Sequence, residues 1–170
     1  MIYNESASKY HKAMGVLLEE LNLTGLGIYQ EYNVKDICPT HNNSLDRFDF
    51  YVPALSLVVE VHGEQHYKPV RFGGISQEKA SFNFAKGSIR DVEKACSARN
   101  NGLVYICFSY KEEFTQELFL EKYQEAITDL LTIGHKVKDS QLSYAKLVYQ
   151  DQKKKGHTGF KGGQKFFKKK

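Results

Sequence analysis

Two polar residues end an otherwise apolar, strand-length run, and they restrict the folds open to this chain. The run extends over 55–62 with Glu60 and His62 on alternate positions, and Asp49 lies in a shorter run over 47–52. Because strand side chains alternate between faces, Glu60 and His62 share one face. Burying a carboxylate is costly unless it is paired or binds an ion. The pattern therefore predicts neighbouring strands with a polar site at one end.

Helices and strands are predicted to follow each other along the chain. The helices are expected over 6–22, 75–100, 111–132 and 140–149, and the strands over 28–34, 47–52, 55–62 and 103–109. The link Pro53-Ala54 is too short for a crossover, so the strands that it joins should be antiparallel. This order predicts an α/β fold with a mixed sheet of about four strands flanked by helices.

The net positive charge of the chain comes from its last 21 residues. Residues 150–170 carry eight lysines and one aspartate, whereas 1–149 hold 16 basic and 19 acidic side chains. We expect a single domain over 1–149 and a basic, flexible tail in which Lys153, Lys154 and Lys155 neutralise phosphates without reading bases. The alternative is a merely solubilising tail.

Other features exclude broad classes of protein. No apolar stretch approaches the roughly 20 residues of a membrane span, and residues 1–5 lack the order of a signal peptide. The three cysteines have no paired spacing, which suits a reducing compartment. We therefore expect a cytoplasmic protein, in the host cytoplasm if it is viral, with no membrane partner.

The polar residues on the two strands have the chemistry of a metal site. Asp49, Glu60 and the backbone carbonyl of Val61 would offer oxygen ligands to Mg²⁺ or Mn²⁺. Such an ion polarises a phosphodiester and acidifies water, and His62 would act as base or orient the water. The alternative is that the two carboxylates are strand-end charges facing solvent.

The residues after the strand make the pattern more specific. Asp49 followed by Glu60-x-His62-Gly63-x-Gln65-His66 resembles the PD-(D/E)XK nuclease superfamily, especially its very-short-patch-repair-like branch and the small phage-type and homing endonucleases. Arg47-Phe48-Asp49-Phe50 fits the first half of that pattern. The resemblance covers roughly residues 6–110. It implies a restriction-endonuclease-like core and metal-dependent hydrolysis of DNA phosphodiester bonds.

The resemblance also assigns roles to side chains outside the strands. Gln65 and His66 would assist His62 by donating hydrogen bonds to a phosphate or to the metal-bound water; the alternative is that they only order the loop. In relatives an Asp-x-x-Lys pair, here Asp91 and Lys94, faces the site. An ordinary surface ion pair is the alternative for that pair. The residues expected to contact nucleic acid in the domain are Lys68, Arg71, Arg90 and Lys94.

The chain departs from the family's pattern at two positions. His62 takes the place of the usual lysine, which shifts its expected role toward acid-base chemistry. A glutamate often supplied by the first helix aligns with His11, and Glu20 is the other candidate on that helix.

Three functions are consistent with these observations. The first is a metal-dependent DNA endonuclease of nicking, junction-resolving, homing or repair type, as a homodimer if cleavage is symmetric. The second is a catalytically decayed nuclease fold that binds DNA. The third is a structural or partner-binding protein that works through its basic tail.

Deletion of residues 151–170 separates the first and third functions. The nuclease hypothesis predicts weaker DNA affinity with a shallower salt dependence, because fewer counterions are released, and retained chemistry. Binding measured against salt concentration, together with a cleavage assay, checks this. Loss of all function on deletion would instead favour the tail-based protein.

Overall fold

The structure is a computed structural model that describes residues 1–144. It confirms the α/β class, with a four-stranded mixed sheet flanked by helices. The helices are α1 (Lys9–Glu20), α2 (Val34–Ile37), α3 (Gln77–Asn100) and α4 (Gln116–Thr132), and the strands are β1 (Tyr29–Asn33), β2 (Arg47–Val52), β3 (Leu57–His62) and β4 (Val104–Ser109). Within residues 1–144, no helix combines the length and apolar character needed to span a membrane.

The strands lie in the order β1-β2-β3-β4. The pair β2–β3 is antiparallel, as expected from the short turn at Pro53–Leu55. The pair β1–β2 is also antiparallel, and β3–β4 is parallel. A parallel pair needs a long crossover, which α3 provides. The C-terminal ends of β3 and β4 therefore lie side by side at one end of the sheet, next to the start of β2.

Apolar residues cover both faces of the sheet. On one face, α1 and α4 pack against side chains such as Phe50, Val59 and Ile106. On the other face, the α2 segment and α3 cover Phe48, Val58 and neighbouring residues. A sheet buried on both faces explains why β3 and β4 are apolar at most positions, without the clean alternation of a half-exposed strand.

Strand β2 is kinked at Asp49. Phe48 and Phe50 are two residues apart, yet they pack on opposite faces of the sheet, whereas a regular strand would put them on the same face. On the neighbouring strand β1, Glu31 lies opposite the kink, between the residues that pair with Phe48 and Phe50. Its φ is 53°, a left-handed backbone conformation that is costly for a residue with a side chain. The distortion falls where the polar residues of the sheet converge.

Buried polar contacts fasten the loop before β2 to α3. The imidazole of His41 contacts Asp46 Oδ2 and Ser97 Oγ, each at 2.7 Å. His41 and Asp46 are 3% and 5% exposed. Because an unpaired polar group would be costly at this depth, the contacts fix the loop and hold α3 in its position beside β3.

Some boundaries differ from those predicted. Helix α4 begins at Gln116 rather than near residue 111, because the Thr115 hydroxyl accepts a hydrogen bond from Leu118 N–H and caps the helix there. The single turn α2 was not predicted. Residues 139–144 are helical, and the remainder of the helix expected over 140–149 lies outside the described residues, as do Lys153, Lys154 and Lys155.

Gln141→Leu should destabilise the fold by about 1–3 kcal/mol. The Gln141 side chain, 1% exposed, donates to Leu55 O and accepts from Lys138 N, and its loss leaves a buried carbonyl without a partner. Urea unfolding followed by circular dichroism measures the change. Lys136→Ala, at an exposed position, should stay within about 0.5 kcal/mol of the parent. Equal stabilities of the two variants would contradict this account.

Candidate active site

A cavity of about 630 Å³ opens at the end of the sheet where the strands β2 and β3 separate. Every catalytic and metal-binding residue expected from the sequence lines it, as does His11 from α1. The polar residues around it are His11, Gln30, Glu31, Arg47, Asp49, Glu60, His62, Gln65, His66 and Lys94, with Val61 and residues of the N-terminal segment completing the wall. The structure thus brings together side chains from two helices, three strands and one loop.

Asp49 and Glu60 hold the strands together where the regular pairing stops. The last backbone pair of this ladder is Phe50 with Val59. Beyond it, Glu60 Oε2 accepts a hydrogen bond of 3.0 Å from Asp49 N–H, and Asp49 Oδ2 accepts one of 2.7 Å from Val61 N–H. The two carboxylates therefore face each other across the strands, and each is fixed by the backbone of the other strand.

Lys94 supplies the positive charge for these carboxylates. Its ammonium contacts Glu60 Oε1, and Lys94 and Glu60 are 8% and 1% exposed. Burial, and next the charge of Asp49, raise the pKa of Glu60, whereas the charge of Lys94 opposes the shift and favours the carboxylate. Burial alone would lower the pKa of Lys94, but the charges of Glu60, Asp49 and Asp91 raise it. Lys94 thus already neutralises Glu60, and Asp49 is the carboxylate left on this side of the cavity to attract a further cation.

His62 and His66 form the other side of the cavity, and Asp91 lies behind them, in the wall of a neighbouring cavity that His66 also lines. The rings of His62 and His66 are stacked, with centroids 4.2 Å apart and planes at 1°. His66 Nδ1 lies 2.6 Å from Asp91 Oδ2, and His62 Nε2 lies 4.0 Å from Asp91 Oδ1. Burial lowers the pKa of His62 to about 4, so its ring is neutral at pH 7.

The His66–Asp91 contact has a defined proton position. Burial alone would raise the pKa of Asp91, but the hydrogen bond from His66 and the charges around it lower the pKa, so the group is a carboxylate. Because a carboxylate only accepts, Nδ1 of His66 carries the proton and donates it in the hydrogen bond. In the neutral ring, Nε2 is then left with a lone pair, as in a histidine held for proton transfer.

His11 and Glu31 approach Asp49 from the opposite direction. One ligand-type atom from each of the three residues lies within 4.8 Å of the others. His11 is buried, stacks on Phe50 at 4.3 Å, and its Nε2 lies 2.9 Å from Gln30 Oε1. Glu20, the other candidate on α1, is exposed and does not line the cavity. It lies nine residues, or about 13 Å along the helix, from His11.

The carboxylates fit a divalent cation unequally. Both oxygens of Glu60 are engaged, one by Lys94 and one by a backbone N–H. Asp49 accepts from Val61 N–H through Oδ2 and also contacts the Glu60 side chain, and one of its oxygens lies within 4.8 Å of ligand-type atoms of His11 and Glu31. Carboxylate and carbonyl oxygens are the donors that Mg²⁺ and Mn²⁺ prefer. The donor set therefore fits such an ion on Asp49, whereas ligation by Glu60 requires Lys94 to move.

The side chain of Gln65 folds back against the backbone at Gly63. A Cβ atom at this position would lie 2.7 Å from Gln65 Oε1. The glycine thus lets Gln65 fold back beside the cavity, and the short turn Glu64–His66 then brings His66 over His62.

The basic residues expected to contact nucleic acid have different surroundings in the structure. Lys94 lies inside the cavity, not on the surface. Arg71 donates from Nε to Ile75 O at 2.7 Å and so braces its own loop. Lys68 pairs with Glu64, and Arg90 lies 4.0 Å from Asp46. Contact of Lys68, Arg71 and Arg90 with DNA stays a prediction.

Two contributions to the site were not apparent from the sequence. The sequence predicts that Lys94 either faces the site from its helix or forms a surface pair with Asp91; it does face the site, but its pairing with Glu60 on β3 was not predicted. Glu31 was not considered at all. The Asp-x-x-Lys spacing was a signal for Lys94, since it puts both side chains on one helix face. For Glu31 no signal existed, because its left-handed backbone is unusual for glutamate.

Comparisons with protein-family models, with curated proteins and with solved structures find no match to this chain. The cavity and its chemistry therefore carry the functional argument.

Lys94→Met should lower the free energy of unfolding by about 3–5 kcal/mol, because it leaves Glu60 buried and uncompensated beside Asp49. In the double variant Glu60→Gln/Lys94→Met the loss should be much smaller than the sum of the single losses. Chemical denaturation at pH 7 measures the cycle. Lys86→Met, at an exposed position on the same helix, is the control. Additive losses at positions 60 and 94 would show that the pair is not coupled.

Proposed function

We propose that this protein is a divalent-metal-dependent endonuclease that hydrolyses DNA phosphodiester bonds. The observation that carries the proposal is the division of one cavity into two halves. One half holds carboxylates that attract a cation, and the other holds a histidine whose proton position is set by a carboxylate. Phosphodiester hydrolysis needs both, because charge on the phosphate must be neutralised while a proton leaves the attacking water.

Asp49 and the carbonyl of Val61 are the residues proposed to hold the cation, with Mg²⁺ or Mn²⁺ as the ion. When bound, the ion neutralises charge on the phosphate and acidifies water. Glu60 and Lys94 act together: the ammonium compensates the buried carboxylate, and Glu60 in turn holds the backbone of Asp49. The orientation of Asp49 is thereby fixed before any substrate binds, which reduces the cost of assembling the site.

His66 is the proposed general base. Asp91 accepts the Nδ1 proton of His66, which leaves Nε2 to take a proton from the attacking water. His62 stacks on this ring and fixes its plane. The role expected of His62 from the sequence thus passes to His66, because His62 is more deeply buried and has its pKa lowered to about 4.

A DNA-binding protein without catalytic activity is the second candidate. One observation favours it: both oxygens of Glu60 are already engaged, so Lys94 fills the place that a second cation contact would take. Calorimetric titration with Mn²⁺ separates the candidates. Binding that disappears in Asp49→Asn supports the endonuclease, and the absence of any Asp49-dependent binding supports the DNA-binding protein.

Asp49→Asn should abolish metal-dependent DNA cleavage, and His66→Gln should lower its rate by about 10²–10⁴-fold while Mn²⁺ binding is retained. The assay uses supercoiled, nicked, branched and single-stranded DNA with Mg²⁺ or Mn²⁺, and products are mapped at nucleotide resolution.

His135→Gln is the matched control, since His135 does not line the cavity, and this variant should cleave like the parent. Circular dichroism spectra verify that each variant is folded. Cleavage by Asp49→Asn at the parental rate would overturn the proposed function.

A further inference from the structure

The two stacked histidines and Asp91 form a group whose chemistry differs from that of the oxygen-rich half of the cavity. One ligand-type atom from each of His62, His66 and Asp91 lies within 4.8 Å of the others. Two imidazoles and one carboxylate are a common ligand set for zinc sites that keep an open position, whereas Mg²⁺ prefers oxygen ligands alone. The same three residues can therefore hold a different metal ion from that held by Asp49.

One atom of this group is left without a partner. His62 Nε2 is buried and has no hydrogen-bond partner among the described residues, and the nearest carboxylate oxygen, Asp91 Oδ1, is 4.0 Å away. A buried ring nitrogen normally has a donor, an acceptor or a metal ion beside it.

The distances require only a small adjustment. Zinc lies about 2.0–2.1 Å from its nitrogen and oxygen ligands, so donor atoms in a tetrahedral site are about 3.3 Å apart. The two contacts to Asp91, 2.6 Å from His66 and 4.0 Å from His62, lie on either side of that value. Since the rings are parallel, one must tilt for both nitrogens to face the same ion. His66 lies in the three-residue turn Glu64–His66, outside the sheet, and its ring can tilt without disturbing β3.

We propose that His62, His66 and Asp91 form a transition-metal site that takes Zn²⁺, and that zinc bound there inhibits the enzyme. Zinc takes His66 Nδ1, the atom that faces Asp91, the ring proton moves from Nδ1 to Nε2, and Nε2 then has no lone pair with which to accept a proton from water. The inhibitory part rests on the proposed function, whereas the binding part does not. Zinc and magnesium thus have opposite effects in one cavity, because one ion binds the histidines and the other binds Asp49.

Binding is tested on the full chain, with cleavage not required as a readout. Calorimetric titration with Zn²⁺, and visible absorption of Co²⁺ as a spectroscopic substitute for zinc, should report one site. His66→Gln and Asp91→Asn should each weaken binding at least about tenfold, the effect that loss of even a supporting partner produces. His62→Gln should do the same. His135→Gln and Asp49→Asn should bind like the parent.

Several outcomes would overturn the proposed site. They are the absence of stoichiometric zinc binding, binding unchanged in both His66→Gln and Asp91→Asn, and loss of binding in Asp49→Asn alone, which would put the ion on the oxygen side. Because His66 lies outside the sheet, its variant tests the site even if substitution of the more buried His62 disturbs folding.

Inhibition is tested separately at fixed Mg²⁺ concentration. Zinc should reduce DNA cleavage by the parent with a midpoint equal to the dissociation constant measured by calorimetry, and removal of zinc should restore the rate. Cleavage that persists at saturating zinc would refute the inhibitory part. If no DNA is cleaved under any condition but His66-dependent zinc binding is present, the proposed function fails and the metal site stands.

Discussion

The site depends on two carboxylates, the buried Glu60 and the half-buried Asp49, at the point where β2 and β3 stop pairing. Asp49 and Glu60 replace the next backbone hydrogen bonds of the ladder, each accepting from the N–H of the opposite strand. Such a junction would be unstable without a cation, because two like charges in a low-dielectric setting repel. Lys94 provides that cation from outside the sheet. The separation of the strands, which opens the cavity, is therefore coupled to the packing of one helix.

Helix α3 links the two halves of the cavity. Asp91 and Lys94 are three residues apart and lie on one helix face. Lys94 reaches the carboxylates of the sheet, while Asp91 reaches the histidines at the end of β3 and in the loop after it. A shift of the helix along its axis would disturb both contacts together. The contacts of His41 with Asp46 and Ser97 resist such a shift, since they anchor the next turn of α3 to the loop before β2.

The sequence predicted the fold well because its signals were local. Alternating and apolar runs placed all four strands, and β2 was placed without error at Arg47–Val52. The proximity of Asp49 to Glu60 and His62 also followed from strand periodicity. The partner of Glu60 did not, because the contact with Lys94 depends on how α3 rotates over the sheet. The kink that separates Phe48 from Phe50 could not be predicted either, since it lies opposite a left-handed backbone at Glu31 that the residue type disfavours.

The position of Lys94 explains why a histidine, and not a lysine, can occupy position 62 at the end of β3. A lysine at the end of β3 would put a second ammonium close to Lys94, with like-charge repulsion and a further desolvation cost. With Lys94 already compensating Glu60 from the helix, the strand position is better occupied by a group that is neutral at pH 7. His62 satisfies this condition, as its lowered pKa indicates. The neutral ring of His62 can then stack on His66. A lysine has no ring to stack, and a charged imidazolium would be repelled by the cation of Lys94.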